Sequence, residues 1–350
     1  MTTNVGELVL VTGGSGFLAL HCIDQALAGG FLVRTTVRSE SKKDVVLQAL
    51  KRFKSPEEIA RLSFTHADLL KDDGWAEAVE GVSLVLHVAS PFPNSQPADE
   101  NELIRPAVDG TLRILKAAKT SGTVKRVVLT SSAVAISYGT KYTDNKVFDE
   151  KDWSDPDGKG GYITPYARSK TLAEKAAWEF MEQEGGSLEL TVVNPVGIFG
   201  PPLLLPNEST TCGIIRDMLQ GKLPAVPNIE FGVVDVRDVA SLHLLAAKDK
   251  NAKDQRYLCV AGETVSLVQI AGILKAGLGS KASKAPARTL PNILIRMLSC
   301  FMPSLRGALP ELGPRKQFSN AKARDLGWIP KSNEQAIVSC GQAFIDAGIC

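Results

Sequence analysis

The chain predicts an α/β fold: a doubly wound parallel sheet with a smaller lobe grown from its C-terminal half. Two observations carry this. Apolar runs of strand length alternate with segments of helical period, an interval that lays parallel strands between two layers of helices. The first strand-to-helix junction, Thr12 to Ala19 (TGGSGFLA), is rich in glycine. At 350 residues and 44% hydrophobic composition the chain can bury a substantial core, and its net charge of +2 gives no bias towards nucleic acid.

The first strand is the apolar run Glu7 to Thr12, and the helix after the turn stops at Gly29-Gly30. Gly13 permits the turn, Gly16 lets the backbone approach a pyrophosphate, and Ala19 is small enough for the helix to pack on the strand. Phosphates would then lie on the helix N-terminus, where unpaired N–H groups and the dipole favour negative charge. The second strand, Phe31 to Val37, ends at Arg38-Ser39, with Lys42-Lys43 just beyond. A site for NAD places an acidic residue here to bind the ribose 2′-hydroxyl. This chain has a cation instead. Arg38 can stack on adenine and pair with a 2′-phosphate, with Lys42 or Lys43 adding a second charge, so NADPH is the expected cofactor. The competing readings are a plain strand-end arginine, or Glu40 turned inward to a free hydroxyl.

RLSFTHADLL reads as a third strand whose end brings Asp68 and Leu69 to the adenine. SLVLHVASPF is the fourth and brings Val88, Ala89 and Ser90 towards the centre of the cofactor, with His87 a core histidine. The helix Asn101 to Gly122 contains Pro106, which should bend or locally break it, and leads to the strand KRVVLTSSA. Every residue named lies at the carboxyl end of a strand, where ligands bind in such sheets.

The chemistry falls to Ser132, Tyr166 and Lys170. Thr164 can cap a helix with Pro165 at its first position, so that Tyr166 and Lys170, four apart, share one face. An adjacent ammonium favours the phenolate and should lower the tyrosine's pKa from its usual value of about 10. Ser132, at a neighbouring strand end, could hydrogen-bond a substrate carbonyl oxygen while Tyr166 protonates it, and Lys170 could also hold the nicotinamide ribose. Ser131 competes with Ser132, because only one of two adjacent side chains can face the cleft.

The stretches TGGSGFLA, TTVRS, ADLL, HVASP, LTSSA, YARSKTLAEKAAWEF and VDVRDVA resemble those of the extended short-chain dehydrogenases/reductases. The nearest subgroup holds dihydroflavonol reductases, cinnamoyl-CoA reductases and microbial aldehyde or ketone reductases. The resemblance runs from Glu7 to Leu245, and FSNAKARDLGWIPKSNEQAI near the end is also similar. It implies a Rossmann fold and NADPH-dependent reduction of a carbonyl to an alcohol, with Ser132, Tyr166 and Lys170 as the catalytic triad. It adds Ser15, Phe17 and Leu18 to Gly13 and Gly16 in the cofactor turn. It also assigns Arg38, Asp68, Leu69, Val88, Ala89 and Ser90 to the cofactor, and puts Pro195, Val196 and Gly197 beside the nicotinamide. Candidate faces for a homodimer are the helices Asn101 to Gly122 and Pro165 to Glu184.

PYARSK lacks the Tyr- and Cys-rich run of cinnamoyl-CoA reductases, and Ser137 stands where dihydroflavonol reductases carry a polar amide. A small-molecule aldehyde or ketone of the microbial-reductase kind is therefore the expected substrate. Ser131-Ser132-Ala133 offers no carboxylate for a sugar-nucleotide dehydratase. Epimerase-type and hydroxysteroid-dehydrogenase-type enzymes, and a non-enzymatic NADPH sensor, are the alternatives. Residues 1–195, rejoined by 232–260, should form the NADP-binding domain, and 196–231 with 261–350 the substrate-binding lobe. The segment from Gly200 to Ala240 is expected to form one pocket wall. Leu290 to Gly313, broken by Arg296, Pro303 and Arg306, should supply an amphipathic cover for the pocket through Met297, Leu298, Phe301 and Met302 rather than a membrane span. Asp235, Arg237 and Asp238 read as structural and His243 as core. Six cysteines without metal-ligand spacing suggest reduced thiols, no metal and a cytoplasmic protein, so that the formal glycosylation acceptor Asn207-Glu208-Ser209 carries no weight.

Overall fold

The computed structural model describes residues 6–90, 99–143, 145–205, 209–300, 309, 311–312 and 315–350, and of Leu298 the backbone alone. Seven parallel strands form the central sheet: β1 (Leu8–Val11), β2 (Leu32–Val37), β3 (Leu62–His66), β4 (Leu84–His87), β5 (Arg126–Thr130), β6 (Glu189–Pro195) and β7 (Gln255–Cys259). Their order across the sheet is β7-β6-β5-β4-β1-β2-β3. The order reverses at β1, between β2 and β4, which opens the ligand crevice beyond the carboxyl ends of these strands.

Alternation of side chains along each strand builds two cores from one sheet. Val9, Val11, Leu86, Val128 and Val193 face helices α1 (Phe17–Ala28), α2 (Glu40–Leu50) and the later Val236–Lys248. Leu10, Val85, Val127, Leu129 and Val192 face α3 (Asn101–Ser121) and α4 (Pro165–Glu184) on the opposite side. Pro106 does not interrupt α3, so of the bend or local break that the sequence predicts, the break does not occur. It stands in the second turn, forfeits only the bond to the Glu102 carbonyl, and is flanked by Leu103 and Ala107, whose burial holds the helix together.

A third core belongs to the C-terminal part. Helices α5 (Thr210–Leu219), α6 (Val236–Lys248), α7 (Leu267–Leu278), α8 (Asn292–Leu298) and α9 (Asn333–Asp346) follow α4 in the chain. Of these, α5, α7 and α9 bury Ile215, Met218, Ile270, Leu274, Ile337 and Phe344 together, and α8 contributes Ile295. Ala323 and Trp328 instead join the first core, where the Trp328 indole donates to the Asp238 carbonyl at 2.8 Å. On α8, Ile295 is fully buried while Ile293 and Met297 are 71% and 62% exposed, so the amphipathic segment turns Ile295, not Met297, inward. The side chain of Leu298, together with Phe301, Met302, Pro303 and Arg306, lies outside the described residues, as do Asn207 and Glu208. Among the described residues no helix is long and apolar enough to cross a membrane.

Candidate active site

The glycine-rich turn is held from both neighbouring strands. The Gly13 N–H donates to Thr36 Oγ1 at 2.8 Å, and the Ala89 N–H donates to Thr12 Oγ1 at 3.0 Å. Thr12 Oγ1 in turn meets His87 Nδ1 at 2.9 Å, so the core histidine braces the crossing of β1 and β4. Gly13 has φ +70° and a Cβ there would lie 2.9 Å from that of Ala89; a Cβ on Gly14 would collide with Thr35. Only glycine fits this approach. Helix α1 starts at once behind the turn, with Gly16 as N-cap and no side chain capping it. Its first-turn N–H groups are the donors a helix cannot satisfy itself, so a pyrophosphate suits this place. Ser15 is half-buried in the turn. Phe17 and Leu18 put their side chains into the cores, which leaves only their backbone to a cofactor.

Arg38 is exposed at the end of β2, and Ser39 begins α2. Lys43, which with Lys42 is a candidate second cation for a 2′-phosphate, pairs with Glu40 at 3.2 Å and lies over the Phe64 ring. Glu40 also accepts from His66 Nε2 at 2.8 Å, which explains why the acidic residue does not turn inward. Asp68 caps its own turn through Leu70 N–H at 3.0 Å, and Leu69 packs against Gly110 of α3. Leu69, Ala89, Ser90 and Lys170 line one small cavity, with His87 and Thr130. Val88 is half-buried beside them and packs on the first core.

Beyond β5 the two serines part. Ser131 is buried and its hydroxyl donates to Glu174 Oε2 at 2.5 Å. Ser132 starts a short 3₁₀ turn, Ala133–Ala135, accepting from the Val134 N–H at 3.3 Å and donating to the Pro195 carbonyl at 3.5 Å. It neighbours the Tyr166 hydroxyl closely enough to favour the phenolate. Thr164 caps α4 by accepting from the Ala167 N–H at 3.0 Å, with Pro165 at the first position, so Tyr166 and Lys170 fall one turn apart as the spacing predicts. Pro195 ends β6, the Val196 N–H donates to the Cys259 carbonyl at 3.2 Å, and Gly197 opens a short strand paired with Val233–Asp235.

One electrostatic expectation is reversed. Burial pushes the Tyr166 hydroxyl up to about 12, and the neighbouring Ser132 hydroxyl opposes the rise. Lys170 does not lower it because the ammonium is itself buried, with Nζ 3.4 Å from the Thr130 carbonyl and its own pKa pushed down to about 8 by desolvation. Burial keeps His87 and His243 neutral, at about 3 and about 4. The ion pairs Arg237–Asp235 and Lys331–Asp238, at 2.5 and 2.8 Å, are structural braces on α6. Ser137 spends its hydroxyl on the Ala133 carbonyl. Sequence reasoning missed Tyr138, whose hydroxyl donates to Glu311 at 2.6 Å while Lys316 lies 3.5 Å over its ring. Burial and Glu311 hold that phenol well above its ordinary pKa, and Tyr166 is near enough to contribute. No local pattern links positions 138 and 311. Among the described residues no cluster of side chains could hold a metal ion.

Residues 9–261 match the NAD dependent epimerase/dehydratase family. A cinnamoyl-CoA reductase of Medicago truncatula is 36% identical over 258 residues, covering 73% of this chain and 77% of that protein. Tetraketide alpha-pyrone reductase 1 of Arabidopsis thaliana is 33% identical over 343 residues, 97% of this chain and 96% of its own. Among solved structures, the yeast methylglyoxal/isovaleraldehyde reductase complexed with NADPH superposes with a TM-score of 0.75 at 27% identity, over 98% of this chain and 100% of that one. The glycine cradle, the sheet order and the match over most of the chain agree, and the protein belongs to the NAD dependent epimerase/dehydratase family, as an extended short-chain dehydrogenase/reductase.

Proposed function

We propose that this protein reduces an aldehyde or ketone to an alcohol with NADPH, Tyr166 giving the proton. The observation that carries the reading is the set of buried polar groups at the carboxyl end of the sheet: Ser132, a neighbouring Tyr166 whose phenolate the serine favours, and Lys170 one helical turn further along α4. The likeness to a reductase solved with NADPH supports the choice of cofactor. So does the exposed Arg38 at the place where an NAD site would carry a carboxylate.

When bound, NADPH supplies a hydride. The backbone from Gly13 to Leu18 would hold the pyrophosphate and Arg38 the 2′-phosphate, and Asp68 and Leu69 would serve the adenine. Val88, Ala89 and Ser90, with Pro195, Val196 and Gly197, would serve the nicotinamide half. Ser132 donates a hydrogen bond to the carbonyl oxygen of the substrate, orienting it and stabilising the charge that grows there. Tyr166, with its pKa held up by burial, is fully protonated at neutral pH and has the proton ready to give. The Lys170 ammonium, one turn along the same helix, would favour the phenolate left behind and could hold the cofactor's ribose. Loops outside the sheet, including the segment Gly200 to Ala240, choose among carbonyl compounds.

The test is consumption of NADPH and NADH with a panel of aliphatic and aromatic aldehydes, ketones and diketones, determining the configuration of each alcohol. Turnover with NADPH is expected. Tight NADPH binding with no turnover across the panel would favour a sensor, and a tightly retained NAD in the purified protein would favour an epimerase.

A further inference from the structure

Lys170 and Glu174 lie one turn apart on α4 and line the same small cavity, which has room for about one water. The Glu174 side chain is fully buried yet carries four donors. Its Oε1 accepts from Arg256 Nε at 2.6 Å and Trp178 Nε1 at 3.4 Å, and its Oε2 from Ser131 Oγ at 2.5 Å and Asn194 Nδ2 at 2.7 Å. Arg256 is fixed in turn, by the carbonyls of Glu150 and Asp152 at 2.7 and 2.8 Å and by the Trp153 ring 3.8 Å beneath its guanidinium. Donors from β6, β7, the end of β5 and α4 itself therefore immobilise one carboxylate behind the lysine.

Such an arrangement is more than a tie between elements. A buried ion pair is weak evidence for stability, since an apolar replacement of the same volume is often as good. What the carboxylate does supply is a fixed negative charge in a low-dielectric interior, next to an ammonium that burial drives towards its neutral form.

We propose that Glu174 is a positioning residue for Lys170, a fixed charge one helical turn away on the same cavity that keeps the lysine in its charged form. The proposal rests on the reading of Lys170 as part of the reductase site. Desolvation lowers the Lys170 pKa to about 8, and Glu174 is the charge that opposes the fall. The other titratable groups around the lysine do not replace it. Tyr166 on the same helix is neutral at pH 7, as are His87 from β4 and His243 from α6, and Arg256 from β7 is a cation.

The experiment titrates Lys170 directly in the full chain, by NMR of protein labelled at lysine Cε, with the resonance assigned through Lys170→Arg. Glu174→Gln keeps the volume and removes the charge. Because that variant strands Arg256, the double variant Glu174→Gln with Arg256→Met is made beside it. In whichever variant folds, Lys170 should titrate about one pH unit or more towards acid, as expected for losing a nearby opposite charge. The alkaline limb of kcat/KM should move with it. An unchanged Lys170 titration in a folded variant would overturn the proposal and leave Glu174 a structural tie. A shifted titration without turnover on any carbonyl would leave the coupling standing and sink the reductase reading instead.

Discussion

The two ends of one helical face, Tyr166–Lys170 and Glu174, treat buried polar groups in opposite ways. At Glu174 both carboxylate oxygens are taken up by protein donors, one of them the Arg256 guanidinium, which fixes the charge in place. At Tyr166 and Lys170 burial dominates: the phenol is pushed up and the ammonium down, each towards its neutral form. A carboxylate with both oxygens paired makes a scaffold, even though Asn194 Oδ1 and Arg256 Nη2 beside it have no hydrogen-bond partner among the described residues, whereas groups with strongly shifted pKa values in a crevice mark where chemistry is done. The same division separates Ser131 from Ser132. One serves the scaffold and the other the tyrosine.

Substitutions on the two sides should therefore fail differently. Tyr166→Phe should lower kcat by about two to four orders of magnitude with NADPH binding retained, measured by steady-state rates and fluorescence titration. Near-normal turnover would dissolve the contrast. Ser132→Ala should cost roughly 10²-fold in kcat through loss of the donor to the carbonyl oxygen, with the melting temperature nearly unchanged. Arg38→Asp should move the NADPH-to-NADH preference roughly ten- to hundredfold towards NADH, the worth of a charge-assisted contact, and an unaltered ratio of kcat/KM values would remove Arg38 from the 2′-phosphate site. On the scaffold side, Ser131→Ala should destabilise by about 1–3 kcal/mol in chemical denaturation while kcat stays within a few fold. Equal effects of the two serine variants on kcat would break the distinction. Smallest is Thr164→Ala, which loses a helix cap worth about 1 kcal/mol.

Local physics made much of this legible. The strand, turn and helix around Gly13 lie within one short stretch, and the cap at Thr164 with Pro165 and the i, i+4 pair Tyr166–Lys170 needs only helical geometry. Period-two alternation in the strands divides their apolar residues between the two layers of the core. Pro106 leaves α3 unbroken because its local cost is small beside the burial of Leu103 and Ala107. Lys43 pairs with Glu40, three residues earlier, as near neighbours on one helix do.

The sequence by itself determined the sheet, the glycine turn and the helical face that carries Tyr166 and Lys170, since each follows from periodicity, caps and backbone sterics over a few residues. Tertiary structure alone decided which serine meets the tyrosine, and in which direction the tyrosine's pKa moves. It also brought Arg256 to Glu174 across 82 residues of chain, and Glu311 to Tyr138 across 173. The physical reason is common to all of these. Desolvation and long-range pairing depend on what the completed fold places around a group, and no spacing along the chain encodes that surrounding.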